Sequence, residues 1–100
     1  MIRHIVMWKL KPEALGAGKR ENAENIKQKL EGLAHRIKEI RTIEVGINSS
    51  SDEAAYDVVL VSEFLTWADL RRYQEHPLHK EAAAFISSVR ESRVVVDYDK

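Results

Sequence analysis

Two strand-like segments, one at each end of the chain, carry large apolar residues on both faces, and that pattern leaves few folds open. Ile2 to Leu10 alternates His4, Val6, Trp8 and Leu10 against Ile5 and Met7, and it stops at Pro12. Arg93 to Asp99 holds Val94, Val95 and Val96 in a row. Successive side chains of a strand point to opposite faces, so both segments need cover on both sides. One layer of helices covers only one face of a sheet. At 100 residues the chain is one domain, residues 1–100, and a second subunit is the expected source of the other cover.

Between those ends, helical and strand periods alternate. Over Lys19–Arg36, Ala23, Ile26, Leu30, Leu33, Ala34 and Ile37 recur or continue at spacings of three and four, which predicts one amphipathic helix. Gly16 and Gly18 break the chain before it, and Gly32 is expected to mark a close approach to the sheet. From Arg41 to Asn48, Ile43, Val45 and Ile47 alternate with polar or small residues, as in a half-buried strand. Asn48 to Glu53 is a polar turn cluster, the expected tip of a hairpin leading into a strand over Tyr56–Leu65. Thr66 and Asp69 are placed to cap a short helix carrying Trp67, Leu70 and Tyr73. Pro77 suits the first position of another helix, striped by Leu78, Ala82, Phe85, Ile86 and Val89. The order is βαββαβ, an α+β fold with an antiparallel four-stranded sheet and its helices on one face. The other face is expected to pair with its twofold mate, making a homodimer.

Bulk composition excludes several function classes. Lys plus Arg and Asp plus Glu each number 16, so the chain lacks the basic field of a nucleic-acid binder. It has no cysteine, which removes disulfides, thiolate nucleophiles and thiolate metal sites. No apolar run is long enough for a bilayer, and the start of the sequence is strand-like, not signal-like. The expected location is cytoplasmic, with no membrane or nucleic-acid partner. Gly16-Ala17-Gly18 lacks the remainder of a phosphate loop, and no Ser/His/Asp motif is present.

The segment Tyr73-Gln74-Glu75-His76-Pro77-Leu78-His79 is the sharpest local feature. With Pro77 opening a helix, His79 falls in its first turn, about 20° around the axis from Ile86 and so at the border of the apolar stripe. The helix N-terminus favours the neutral imidazole, which can serve as a general base or bond a ligand. Equally, His79 can bond a backbone carbonyl and simply complete the helix entry. His76 suits a cap or the surface, and His35 the end of the first helix. His4 shares a strand face with Val6 and Trp8, as a pocket group or as a core histidine. Tyr73 offers a phenol beside Leu70, as a donor or as ordinary packing. His76-x-x-His79 lacks a third metal ligand, so no metal site is expected.

These landmarks together resemble the stress-responsive dimeric α/β-barrel (Dabb) domain family. The similarity runs through Ile2-Arg3-His4-Ile5-Val6-Met7-Trp8-Lys9-Leu10-Lys11, Val45-Gly46, the strand from Tyr56 to Phe64, and Tyr73…His76-Pro77-x-His79. It covers nearly the whole chain. The resemblance implies a ferredoxin-like domain whose sheet pairs with a second copy in one barrel. More distantly the chain resembles a plant polyketide cyclase, olivetolic acid cyclase, which implies no cofactor, a catalytic pair at His79 and Tyr73, and a pocket histidine at His4. A further pocket histidine of that cyclase falls on Val58 here.

Three functions stay open. One is a pocket for a small, largely apolar, aromatic or phenolic molecule, lined by His4, Val6, Trp8, Leu60, Phe85 and Ile86. Another is a cofactor-independent cyclase, isomerase or lyase, with His79 as base and Tyr73 as donor to an oxyanion. The third is a structural stress protein acting by assembly.

Overall fold

The computed structural model describes all residues, 1–100. Its elements in chain order are β1 (Ile2–Leu10), β2 (Glu13–Ala14), β3 (Ala17–Gly18), α1 (Lys19–Glu31), β4 (Thr42–Ile47), β5 (Val58–Phe64), α2 (Trp67–Glu75), α3 (Pro77–Val89) and β6 (Arg90–Asp99). The four long strands form one antiparallel sheet in the order β4-β5-β1-β6. The fold is therefore the α+β architecture that the periodicities predict.

The two faces of β1 differ as its alternation requires. Ile2, His4, Val6, Trp8 and Leu10 are buried, whereas Met7 is exposed and Ile5 half-buried. On β5 the buried set is Val58, Leu60, Ser62 and Phe64. These inward side chains form one core with Ala23, Ile26 and Leu30 of α1, Leu70 and Tyr73 of α2, and Ala82, Ile86 and Val89 of α3. Register puts Val94 opposite Met7 and Val96 opposite Ile5, on the outward face. The three valines of β6 stay exposed, Val96 at 60%.

Several boundaries differ from expectation. The first helix ends at Glu31, not Arg36, because Gly32 caps it through N–H bonds to Gln28 and Leu30 carbonyls. Tight turns then follow, with the Leu33, Ala34 and Arg36 N–H groups bonding carbonyls three residues back. Leu33 and Ile37 are still buried, so their apolar spacing was real but belongs to turns. A Cβ on Gly32 would lie 2.9 Å from the Gln28 carbonyl, so the close approach there is to its own helix and not to the sheet. The last strand begins at Arg90, directly after α3, with no loop between them.

An additional small hairpin, β2–β3, fills the gap before α1. Its turn residues Leu15 and Gly16 have φ of +53° and +76°. Buried Asn22 of α1 ties it down by donating to the Ala14 and Ala17 carbonyls, at 3.1 and 3.3 Å. No helix is long and apolar enough to cross a membrane.

Candidate functional site

Two caps position the site. The Thr66 hydroxyl accepts from the Asp69 N–H and starts α2, which buries Tyr73 in its last turn. His76 ends α2 and starts α3: its Nδ1 accepts the Leu78 N–H at 3.1 Å. With Pro77 at the first helical position, His79 is held in the first turn of α3, as its spacing predicts. His79 Nδ1 lies 3.1 Å from the Gln74 carbonyl. A carbonyl only accepts, so this nitrogen carries the proton, and Nε2 of the neutral ring is left as an acceptor.

His79, Tyr73 and His4 share a cavity of about 320 Å³ between sheet and helices. Val6, Trp8 and Leu60 line it from the sheet, and Leu30 and Ile86 from the helices. The Tyr73 ring lies 4.4 Å from that of His79, 5.0 Å from Phe64 and 6.4 Å from His4, centroid to centroid. His4 Nδ1 meets the Asp97 carboxylate at 2.5 Å, across the β1–β6 pair. Its backbone carbonyl accepts the Ser62 hydroxyl.

Burial governs the protonation chemistry. Desolvation lowers the His79 pKa below the ordinary histidine value. The Gln74 hydrogen bond opposes this, and the charges of His4, Arg93 and His76 add to it. Desolvation raises the Tyr73 pKa far above the ordinary phenol value, so it stays an O–H donor. That hydroxyl is buried and has no hydrogen-bond partner. The site thus sets an unprotonated nitrogen beside an unused donor.

Of the residues singled out from the sequence, Phe85 does not line this cavity. One position before Ile86, it turns about 100° away, half-buried with the Lys29 ammonium 4.9 Å from its ring centre. Ala83 and Ser87, each two positions from it along α3, line the cavity instead. Sequence reasoning also missed Arg90 and Arg93 at the cavity and Asp97 behind His4. The period of two along Arg93, Val95 and Asp97 was the available signal, readable once β6 is set against β1. No group of three or more His, Asp or Glu is arranged to hold a metal ion.

The family model described as the stress-responsive A/B barrel domain matches residues 2–100. The chain belongs to that family. A solved relative of this A/B barrel domain is a dimeric protein of unknown function with a ferredoxin-like fold from Bacteroides fragilis. It is 33% identical, with a TM-score of 0.86, over 99% of this chain and 95% of that one. A dimeric ferredoxin-like protein of unknown function from Thermobifida fusca is 25% identical, with a TM-score of 0.85 over 99% and 90% of the two chains. The hydroxynitrile lyase of Passiflora edulis is 22% identical, with a TM-score of 0.81 over 97% and 90%, a likeness of fold alone. No curated protein matches the chain in sequence.

Proposed function

We propose that this A/B barrel domain acts as a cytoplasmic homodimer whose cavity binds a small, largely apolar or aromatic molecule bearing an acceptor oxygen. The unpartnered Tyr73 hydroxyl carries the reading. A buried donor without a partner costs about 1–3 kcal/mol, and a ligand oxygen would recover it. The apolar lining with a few convergent polar groups is the usual character of a small-molecule pocket. Dimerisation is supported by the exposed outward face of β1 and β6 and by the dimeric relatives. The test is an NMR titration of the four histidine rings with a panel of phenolic and polyketide-like compounds. Joint shifts of His4 and His79 are expected. Rings that ignore every compound would leave a structural dimer.

The free Nε2 of His79 beside that donor favours a second reading, a cofactor-independent cyclase, isomerase or lyase. His79 would take a proton from carbon next to a carbonyl, Tyr73 would bond the developing enolate oxygen, and His4 would orient the substrate. In that case His79→Ala lowers kcat by about a hundredfold or more, with little loss of stability. An unfolded His79→Ala protein would mean that the ring serves packing.

A further inference from the structure

The cavity carries charge of one sign. The permanent charges along its lining are the guanidiniums of Arg90 and Arg93, and the ion pairs of the chain all involve other cations. The nearest carboxylate in register, Asp97, is engaged by His4. Tyr73 and His4 lie buried at one end, whereas Arg93 is exposed and Arg90 half-exposed at the solvent end.

A backbone irregularity produces this arrangement. Trp8 pairs with Arg93 and Lys9 with Ser92, but Leu10 pairs with Arg90, so the ladder shifts by one residue between Lys9 and Leu10. In an unbroken ladder Glu91 would oppose Leu10 and share its inward face. The bulge removes Glu91 from that position, and it lines a separate hollow with Lys9 and Asp57. Arg90 takes the inward place beside the cavity. The extra residue therefore exchanges a carboxylate for a guanidinium at the mouth, the kind of re-aiming for which bulges are used.

We propose that the cavity takes an organic acid, with its apolar body between Trp8, Leu60 and Ile86, its carboxylate on Arg90 and Arg93, and an acceptor oxygen at Tyr73. This rests on the pocket reading and narrows its ligand class. Guanidinium forks match a carboxylate in two-point hydrogen bonds. An anion also relieves the repulsion between the two arginines, which a neutral ligand leaves and an amine worsens.

The test compares 4-acetylbenzoate, its methyl ester and 4-acetylphenyl phosphate, followed by the His4, His79 and Trp8 resonances of the full chain. The acid is expected to bind about tenfold tighter than the ester, one charge-assisted contact's worth. Arg90→Gln and Arg93→Gln should each bring the acid towards the ester's affinity and leave the ester unchanged, which also shows that the variants fold. Equal binding of acid and ester would overturn the organic-acid assignment and keep the pocket. Preference for the phosphate ester over the acid would overturn the carboxylate. Silence towards all three would overturn both the assignment and the pocket reading beneath it.

Discussion

Tyr73 buries its hydroxyl completely and leaves it without a partner. Tyr73→Phe removes the unsatisfied group and keeps the ring against Phe64 and His79. The ligand-free variant should be more stable by about 1 kcal/mol in urea unfolding. A loss of that size would show that the phenol is already satisfied. His79 yields a prediction in pH. Its folded pKa lies below the ordinary value, so the unfolded chain takes up its proton more readily. The stability tied to this ring is complete above about pH 6.5 and declines as pH falls from there to the lower folded value. Urea titrations between pH 7.5 and 5 should show that decline in the wild type and a shallower one in His79→Gln. Parallel curves would remove the depressed pKa. The position of His79 was legible because Pro77 phases the helix. Its tautomer was not, since the Gln74 carbonyl that sets it belongs to the preceding helix.

At the scale of elements, local chemistry placed most helices and strands but misjudged their ends. The capping Thr66 and Pro77 at the first helical position are signals that lie within a few residues, and both start helices where expected. The first helix was drawn too long because Leu33 and Ile37 continue its period while the backbone has already left it. The β2–β3 hairpin was missed, since Leu15 is a poor residue for a positive φ. Its side chain is 68% exposed, so little packing is lost on replacing it. Leu15→Asn, which accepts that backbone region more readily, should therefore raise unfolding free energy by about 1 kcal/mol. An unchanged urea midpoint would mean that the turn relaxes or that the leucine packs in the assembled protein. The β6 bulge was equally hidden, because it exists only in the pairing of two strands far apart in sequence.

The whole molecule leaves apolar surface on the sheet face away from the helices. Val94 and Val96 of β6 lie beside Met7 and Ile5 of β1, with Val59 and Val61 of β5 next in the register. Burial of such a face is the driving force for the proposed dimer. Sedimentation should give a species of twice the 11.5 kDa chain. Val96→Asp should convert it to a folded monomer, because Val96 is already 60% exposed within one chain. A variant still dimeric would place the interface on another face.

Periods of two and of three to four, together with a proline and a capping threonine, determined by themselves the α+β order, the alternation of the first two long strands and the candidacy of His4, Tyr73 and His79. These are local properties, set by backbone geometry that neighbouring residues share. The tertiary structure alone decided that Phe85 turns towards Lys29, that Asp97 lies behind His4, and that Arg90 and not Glu91 faces the cavity. Each depends on how separate elements are rotated or registered against one another. A one-residue slip in a strand, or 100° of turn in a helix, moves a side chain from one environment to another without changing the local pattern.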